Sequence, residues 1–548
     1  MQCSLILLLL FSFCLFPVQS AQFRIAQLFA PSAVLQHGEP INIWGWAQPS
    51  SLITAAFSNA YLNVSFSGNT TADVDGLWVV TFPPQPVADD WVIFATTGEV
   101  VDPRCRYNVF YCTTDALYVR YVHTGDVICC LGQSNMQVNV YFAFNSTAEI
   151  DNSYEFTQSI SYMQVEAAVT APIAPLGDFA VAPNIPWTLA SPATVGLFSA
   201  TCWFAAKSLI EARKSAGPRL GLIAAPWGGT SIKVHAPVSV NTSCALLFPG
   251  SAQGCGGTAP CAVSCLYNSM LAPIHGPRGF PVAAMIWSQG ENDVGYDSWY
   301  SCMLQGLAAS LRTLFASPRA HWVTMQLAPY DGGASLAPFR AMQCATTATI
   351  PNASCIVLAD DGDIYSPIGS VHSRNKQLAG LRIGAVLASA LYGVPLPTRG
   401  GVGPTFQSVD VAVGPKGELT AAVTFDAMTL GPLGLISTPP STSPWSNATR
   451  CATDNGVIKL ADCGWFTILA SNGIAYNATA LLLNKTSLTL TAAAPESTIP
   501  VGVSWGWGAW PVNEFANEYG YPLVPFYYNA SAAAVVASSS QPSLRSTL

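Results

Sequence analysis

The stretch that decides the fold is Val127-Ile128-Cys129-Cys130-Leu131, followed directly by Gly132-Gln133-Ser134-Asn135-Met136. The first five residues form a short apolar run, which predicts a buried strand. A tight turn after such a strand exposes the Ser134 hydroxyl at the mouth of a sheet. A serine hydroxyl is a weak nucleophile unless a neighbouring base takes its proton. The same residues are also common in turns that merely begin a helix, so this motif alone leaves both interpretations open.

The composition indicates a globular chain that buries large cores. The chain has 548 residues, of which 50% are hydrophobic and only 9% are charged. At roughly 100–200 residues per domain, this length predicts about three domains. The chain has 22 Lys and Arg against 30 Asp and Glu, and it contains no run of basic residues that could bind along a phosphate backbone. Nucleic acid is therefore not an expected partner.

The N-terminus has the pattern of a secretory signal peptide over residues 1–20. An apolar run from Leu5 to Phe16 precedes small residues and Ala21, although no Lys or Arg comes before the run. The run is shorter than the about 20 residues of a membrane span, and an uncleaved anchor is the alternative. Of the 16 cysteines, only Cys3 and Cys14 lie in this segment. Together these features predict an oxidised chain in the secretory pathway, either secreted or lysosomal.

Possible N-glycosylation sites agree with that prediction. The sequons begin at Asn63, Asn69, Asn145, Asn241, Asn352, Asn447, Asn477, Asn484 and Asn529. Some of them arise by chance, but their number beside a signal peptide indicates a glycoprotein.

Two β-rich regions flank the middle of the chain. Residues 21–122 are predicted to contain strands at 41–44, 61–66 and 78–82, with a turn at Asp75-Gly76. Residues 397–548 are predicted to contain a hairpin of strands 409–413 and 419–425, a loop closed by Cys451 and Cys463, and a loose tail. Both regions are expected to be sandwich-like.

The middle region, residues 123–396, alternates between strand and helix patterns. Strands are predicted at 127–131, 220–225, 282–287, 322–327 and 355–358, and helices at 198–216, 299–314 and 374–391. This alternation predicts an α/β domain of three layers, with a mostly parallel sheet covered by helices on both faces. In such folds the chemistry collects just past the carboxyl ends of the strands.

Two further motifs follow predicted strands of this region. In Trp227-Gly228-Gly229-Thr230, the paired glycines allow backbone N–H groups to face an anion, although an ordinary glycine turn is the simpler interpretation. In Gln289-Gly290-Glu291-Asn292, the Gln289 amide is a candidate second donor and Glu291 is a candidate for ordering the loop. A solvated polar loop is the alternative.

His372 is the candidate general base, because it lies in a loop after the last predicted strand. The chain has six histidines. His123 and His235 are rivals because they lie near the serine and glycine motifs in sequence, whereas His321 opens a strand and is expected to be structural.

In this order and spacing, the four segments are similar to the conserved blocks of the SGNH hydrolase superfamily. They resemble the sialate O-acetylesterase family most closely. The resemblance is carried by Gly125-Asp126-Val127 with Gly132–Met136, by Gly221-Leu222-Ile223 with Trp227–Thr230, by Trp287 with Gln289–Glu291, and by Ser366-Pro367 with Gly369, Ser370, His372, Arg374, Lys376 and Gln377. It covers about residues 25–395 and weakens after residue 400.

The resemblance implies a role for each motif. Ser134 is the implied nucleophile and His372 the general base and acid. The backbone N–H groups of Ser134 and Gly229, with the Gln289 side chain, form the implied oxyanion hole. Residues expected to support the substrate are Gln133, Asn135, Trp227 and Glu291. The resemblance implies no metal and no cofactor.

One departure concerns the acid that orients the base. SGNH enzymes place an Asp two or three residues before the histidine, where this chain has Gly369 and Ser370. Asp363 is the candidate acid, with Asp361 and Asp360 as rivals, and orientation of the histidine by a backbone carbonyl as a dyad is the alternative. The proline that follows the family's histidine is Ser373 here.

The cysteines allow two other hypotheses. Cys244, Cys255, Cys261 and Cys265 cluster in one loop, but their spacing is not that of a zinc finger, and disulfides are the better interpretation. Cys129 and Cys130 adjoin the serine turn, where a cysteine nucleophile is conceivable. Their place within a buried strand favours inert packing.

Three functions follow from these motifs. The first is a serine esterase that hydrolyses O-acetyl esters of sialic acids, with Arg340 and Arg374 as candidates for binding the sialate carboxylate. The second is the same chemistry on acetylated polysaccharides such as xylan. The third is a non-catalytic glycan-binding glycoprotein, against which the joint presence of four candidate residues argues: Ser134, Gly229, Gln289 and His372. The oligomeric state is left open.

Overall fold

A computed structural model describes residues 22–100, 102–106, 112, 115–168, 173–214, 217–247, 263–333, 335–437, 463–511 and 513–530. These residues form two compact units. The smaller consists of 22–26, 43–82 and 92–118, and the larger of 27–42, 83–91 and all that follows 118. The predicted signal peptide, residues 451–462 of the predicted Cys451–Cys463 loop and the end of the tail lie outside the described residues. Because the middle and C-terminal regions share one unit, the domain boundary predicted at residue 396 stays a prediction.

The first strands of the chain make two antiparallel arrangements in the smaller unit. β1, β3 and β6 form one sheet, and β4 pairs with both β5 and β7. Trp44, Phe57 and Trp78 are fully buried there. The first eight strands of the chain, of which β2 and most of β8 belong to the larger unit, are β1 Arg24–Ile25, β2 Val34–Gln36, β3 Ile41–Trp46, β4 Leu52–Asn59, β5 Val64–Thr71, β6 Leu77–Phe82, β7 Ala88–Thr97 and β8 Ala116–Gly132.

The strand predicted over 61–66 begins only at Val64. Tyr61 is 83% exposed, and the N–H of Leu62 donates to the Asn59 side chain at 2.9 Å, which closes a turn. Apolar alternation suggested a strand here, but the local side-chain hydrogen bond competes with strand pairing and wins.

A parallel sheet lies at the centre of the larger unit. Its order is β10-β9-β11-β8-β12-β13-β14, and only the β10–β9 pair is antiparallel. The strands are β9 Ile160–Gln164, β10 Ile185–Leu189, β11 Leu220–Pro226, β12 Ala284–Ser288, β13 His321–Met325 and β14 Ala353–Ile356. Every side chain of β11 and β12 is buried, as expected for strands covered on both faces. The mixed α/β character predicted for the middle of the chain is confirmed.

Helices cover both faces of this sheet. They are α1 Ser134–Gln137, α2 Ser146–Asp151, α3 Ala200–Arg213, α4 Ile232–His235, α5 Val238–Cys244, α6 Ala272–His275, α7 Asp297–Leu314, α8 Leu336–Ala348 and α9 Lys376–Tyr392. Trp203 and Ile383, from α3 and α9, pack against alternate residues of β8 such as Ile128. On the opposite face, the Trp287 indole of β12 donates to the Tyr300 hydroxyl of α7 at 3.2 Å. The sequence did not predict α8, β9 or β10.

Local residues explain where the principal helices begin and pack. α3 starts at Ala200 rather than 198, because the Ser199 side chain accepts the N–H of Cys202 and caps the helix. α9 lies against α3 because Gly380 and Gly384 have no side chains. A Cβ at Gly380 would lie 2.4 Å from the Phe204 side chain.

The C-terminal region contains two four-stranded antiparallel sheets, β15-β16-β22-β21 and β20-β19-β23-β26, with two-stranded pairs β17–β25 and β18–β24. Phe425, Ile468, Trp505 and Phe526 share one core. The predicted hairpin is confirmed as β15 and β16. The strands are β15 Phe406–Val413, β16 Leu419–Phe425, β17 Leu435–Ser437, β18 Cys463–Gly464, β19 Thr467–Ala470, β20 Ala475–Asn477, β21 Thr479–Asn484, β22 Ser487–Ala492, β23 Pro500–Trp505, β24 Trp510–Pro511, β25 Phe515–Asn517 and β26 Phe526–Asn529.

Disulfides fasten several of these elements. The pairs are Cys105–Cys112, Cys130–Cys202, Cys244–Cys302 and Cys344–Cys355, and Cys265 is also disulfide-bonded. The disulfide interpretation is thus confirmed for Cys244, whose partner lies outside the predicted cluster, and for Cys265. Cys130 is not a packed thiol, because it joins β8 to α3. The Cys129 thiol is buried, and burial raises its pKa. Within the described residues, no helix is long and apolar enough to cross a membrane.

Candidate active site

Three of the predicted motifs meet at the centre of the parallel sheet. In the strand registers, Gly132 at the end of β8 pairs with Pro226 of β11 on one side and with Ser288 of β12 on the other. The serine turn, the Trp227–Thr230 turn and the Gln289–Asn292 loop therefore leave the same edge of the sheet side by side. This is the carboxyl edge, where the sequence predicted the chemistry to lie.

The serine turn depends on glycine at position 132. Its φ is 124°, and a Cβ there would lie 2.0 Å from the carbonyl oxygen of Ser288. The N–H of Gln133 donates to that same carbonyl at 2.8 Å, and the N–H of Trp227 donates to the Gly132 carbonyl at 2.9 Å. These bonds hold the turn so that Ser134 begins helix α1, half-buried at the edge of the sheet.

The glycine turn approaches the serine closely. A Cβ at Gly228 would lie 3.1 Å from the Ser134 Cβ, and the Gly228 N–H donates to the Gln137 side chain at 2.8 Å. Gly229 has a φ of 70°, and its carbonyl accepts a hydrogen bond from Asn292 at 2.9 Å. The peptide groups next to Ser134 are therefore fixed in orientation by neighbouring loops.

Gln289 does not face the serine as an available donor, which corrects the sequence-based role. Its side chain is fully buried, and Nε2 donates to the Asp293 carboxylate at 2.7 Å, to the Thr230 carbonyl at 3.0 Å and to the Gln133 side chain at 3.2 Å. An amide nitrogen has only two hydrogens, and these acceptors use them. Gln289 therefore links its own loop to the serine turn through Gln133 and to the glycine turn through Thr230.

Asp293 is a member of this network that the sequence analysis did not single out. It accepts the N–H of Ile232 at 2.8 Å as well as the Gln289 amide. Burial raises the pKa of Asp293 to about 6, although these hydrogen bonds lower it. The only sequence signal for Asp293 is its place next to the Glu291-Asn292 pair.

The imidazole of His372 is oriented by a backbone carbonyl. Its Nδ1 lies 2.7 Å from the carbonyl oxygen of Ile368. Because a carbonyl only accepts, Nδ1 carries the hydrogen and Nε2 is left with its lone pair, as a general base requires. Burial lowers the pKa of His372, the bond to Ile368 raises it, and the charge of Lys376 lowers it. The neutral, basic form is therefore favoured.

The three candidate carboxylates bond to other groups, and the prediction that Asp363 orients His372 is wrong in this geometry. Asp363 binds Arg374 through two hydrogen bonds, of 2.6 and 2.9 Å. Asp361 accepts the Ser373 hydroxyl at 2.9 Å, a bond that the family's proline at this position would not donate. Asp360 binds Arg382, with both distances 2.6 Å. The carbonyl-oriented dyad is the alternative that matches the structure.

Asn135 joins the nucleophile turn to the base loop. Its Nδ2 donates to the carbonyl of Val371 at 3.0 Å and to the Glu291 carboxylate at 2.5 Å. Its Oδ1 accepts from Lys376 Nζ at 2.7 Å, and its backbone carbonyl accepts from Thr201. The residue after the candidate nucleophile is thus hydrogen-bonded to the residue before the candidate base, so the two segments that carry Ser134 and His372 are joined.

Lys376 and Glu291 form the charged part of this arrangement. Burial lowers the pKa of Lys376, while Asp361, Glu291 and Asp363 raise it. Burial raises the pKa of Glu291, while the Asn135 bond and Lys376 lower it. A buried ammonium with few acceptors is costly unless carboxylates surround it, so the network is held together by charge. The sequence predicted a supporting role for Asn135 and Glu291 but assigned none to Lys376.

Structural contacts hold the two rival bases and Arg340. His123 contacts Asp89 at 2.6 Å, and His235 is fully buried against the Thr230 hydroxyl, with burial lowering its pKa to about 3. Arg340 is also fully buried and donates to the carbonyls of Leu327, Ala328, Gly508 and Ala509. Arg340 is therefore not placed to bind a substrate carboxylate.

Comparisons with known proteins show which proteins the chain resembles. A family model described as "Carbohydrate esterase, sialic acid-specific acetylesterase" matches residues 124–391. The chain is 26% identical over 396 residues to the sialate O-acetylesterase of Pongo abelii, a match that covers 68% of this chain and 71% of the relative. It is 25% identical over 398 residues to the Homo sapiens sialate O-acetylesterase, with the same coverage.

A solved structure resembles the fold. The crystal structure of a novel carbohydrate acetylesterase from Xanthomonas citri superposes with a TM-score of 0.69 at 23% identity. The match covers 92% of this chain and 99% of that one, so the two chains share a fold.

Proposed function

We propose that this chain belongs to the carbohydrate esterase family of sialic acid-specific acetylesterases and hydrolyses O-acetyl esters of sialic acids through an acetyl-Ser134 intermediate. The observation that carries the proposal is the Asn135 bridge, which joins the turn of Ser134 to the loop of His372. A serine and a neutral histidine carried by two hydrogen-bonded segments would supply the nucleophile and the base that acyl transfer needs.

The reaction begins with proton transfer from the Ser134 hydroxyl to His372 Nε2 as the serine oxygen attacks the acetyl carbonyl. The N–H groups of Ser134 and Gly229 donate to the oxyanion. His372 then gives its proton to the leaving sugar oxygen, and the sugar departs as an alcohol. A water molecule, deprotonated by His372, attacks the acetyl-serine; the bond to the serine oxygen breaks, His372 returns the proton to that oxygen, and acetate leaves. The Ile368 carbonyl holds the imidazolium in place of a carboxylate.

A second candidate substrate class is acetylated polysaccharide. Both arginines that were candidates for binding the sialate carboxylate already have partners, since Arg340 is buried among carbonyls and Arg374 is paired with Asp363. A substrate without a carboxylate needs no such arginine, which favours this second class. The relative of similar fold from Xanthomonas citri is a carbohydrate acetylesterase by name.

The setting we propose is an SGNH-type domain over residues 123–396, between β-rich domains, in a glycoprotein of the secretory pathway. The disulfides support an oxidising compartment, as does the number of sequons.

The test is acetate release by the purified protein from 9-O-acetylsialic acid and from acetylated xylan, with Ser134→Ala as the variant. We expect release from the sialic acid ester, and loss of that activity in Ser134→Ala with unchanged circular dichroism. Release from xylan alone would move the proposal to the second candidate. Activity that survives Ser134→Ala would overturn the mechanism, and failure of a fluorophosphonate probe to label Ser134 would favour a non-catalytic glycoprotein.

A further inference from the structure

A cavity opens beside the base loop. Its volume is about 510 Å³, within the range of roughly 300–1,000 Å³ that is usual for small-molecule sites. Aromatic side chains from one segment, Tyr141, Phe142 and Phe144, form one wall, and Pro367 and Arg374 of the base loop form the other. None of these residues has a part in the acyl-transfer chemistry.

The aromatic wall is connected to both catalytic segments. The 3₁₀ turn Val140–Phe142 follows α1, which begins at Ser134. At the far end, the Phe144 N–H donates to the Arg374 carbonyl at 3.0 Å, two residues after His372. A molecule in the cavity therefore lies against the segments that carry the nucleophile and the base.

Two rings of this wall are exposed although they are held in place. Tyr141 is 56% exposed and Phe142 is 43% exposed. Gly196 lies directly under the Tyr141 ring, since a Cβ there would be 2.5 Å from a ring atom. The turn itself is held by the Val140 N–H, which donates to the Phe198 carbonyl at 3.1 Å. Exposed apolar surface that is fixed in advance is typical of a ligand-binding groove.

The opposite wall is also rigid. The Arg374 guanidinium lies 4.8 Å from the centre of the Phe144 ring and is paired with Asp363. The surface offered to a ligand is therefore mainly aromatic, with polar groups at the rim.

From this geometry we infer that the cavity binds the sugar ring of the acetylated substrate, with Tyr141 and Phe142 as the stacking surface. The inference rests on the proposed function and deepens it. Sugar rings present apolar C–H faces, which pack on the electron-rich faces of aromatic rings. Because the cavity lies against the segments that carry Ser134 and His372, we expect a ring bound there to present its ester to Ser134 and the cavity to select sugar esters over simple acetates.

The test compares kcat/KM for 9-O-acetylsialic acid with kcat/KM for 4-nitrophenyl acetate, which has no sugar ring. In Tyr141→Ala the ratio of the two is expected to fall about tenfold, the effect of losing one stacked ring. Tyr141→Trp keeps a stacking face and is expected to retain most of the ratio. Tyr154→Ala is the matched control, because Tyr154 is a 61% exposed tyrosine of a nearby segment that does not line the cavity.

N-glycans are removed enzymatically before the assay, because Asn145 at the cavity rim begins a sequon. A ratio unchanged within about twofold in Tyr141→Ala, or an equal fall in Tyr154→Ala, would overturn the subsite. These outcomes differ from failure of the proposed function, in which the unsubstituted protein releases no acetate from any sugar ester.

Discussion

The imidazole Nδ1 of His372 lies 2.7 Å from the carbonyl oxygen of Ile368, four residues earlier in the same loop. The general base of the proposed site is therefore oriented by its own loop and not by an acidic side chain. A carbonyl fixes the tautomer as a carboxylate does, but it has no full negative charge with which to stabilise the imidazolium.

Asp363→Asn is expected to lower Tm while leaving kcat within about tenfold of the unsubstituted value, because Asp363 holds Arg374 and not His372. Neutralising the acid of a true triad lowers kcat about 10⁴-fold. Steady-state kinetics and thermal unfolding on the same preparation separate these outcomes. Arg374→Gln is the matched control and should reproduce the loss of Tm. A triad-sized loss of kcat at unchanged Tm would restore Asp363 as the acid.

Lys376→Met is expected to lower kcat about 100-fold with little change in KM, because the Asn135 bridge then loses its charged partner and the base loop shifts. Asn135→Ala should have the same effect. Lys207→Met is the control, because it removes a lysine of α3 that is paired with Glu149 of α2. Equal losses in Lys376→Met and Lys207→Met would indicate general destabilisation.

The pH profile of kcat/KM should have an acid limb with its midpoint below 6.5, the ordinary pKa of histidine, because burial lowers the pKa of His372. The base acts when neutral, so activity is lost as the pH falls through this pKa. Removing the nearby charge in Lys376→Met should move the midpoint to higher pH.

Burial raises the pKa of Asp293 to about 6, so this carboxyl also titrates in the pH range of the acid limb. The variant Asp293→Asn therefore tests whether the acid limb of the kcat/KM profile belongs to His372. Disappearance of the limb in that variant would assign it to Asp293. A midpoint above 6.5 in the unsubstituted protein would mean that a carboxylate faces His372 after all.

Gln289→Ala is expected to lower both kcat and the free energy of unfolding, the latter by about 1–3 kcal/mol, because it removes the Gln289 amide as a donor to the buried Asp293 carboxylate and to the Thr230 carbonyl. Urea unfolding measures the second effect. Asn292→Ala removes a surface bond to the Gly229 carbonyl and should lower kcat with a smaller change in stability. If Gln289 donated directly to the oxyanion, its loss would instead cost about 10²–10³ in kcat at unchanged stability.

Occupancy of the sequons should follow the hydrogen bonding of each asparagine. Asn241 Nδ2 donates to the carbonyls of Lys233 and Ala236 at 2.9 and 3.2 Å, so a glycan there is incompatible with this fold. Asn484 is exposed, and its Oδ1 accepts the N–H of Thr486 at 2.8 Å. In protein secreted from a eukaryotic host, mass spectrometry after deglycosylation in heavy-oxygen water should find Asn484 modified and Asn241 unmodified. Occupancy of Asn241 would show that its loop is built differently.

The sequence by itself determined the central strand, the turn that follows it and the order of the chemical motifs. These features are local, because each is visible within a few residues. They are an apolar run that ends at Gly132, a glycine pair at Gly228-Gly229 and a histidine before a helix. Strands β9 and β10 and helix α8 were missed because tertiary packing outweighs weak local preference there. The alternation at Tyr61 was misread because the Asn59 side chain closes a turn.

Only the tertiary structure decided which groups those motifs touch. The bond between Asn135 and Lys376 joins residues 241 positions apart, and the bond from Asn135 to Val371 joins residues 236 apart. No local pattern encodes such partners, because a polar side chain buried by folding bonds to whatever acceptor or donor the packed elements bring to it. For that reason the sequence identified Ser134 and His372 as candidates, whereas the fold assigned Ile368 to orient the base and Gln289 to support the loops.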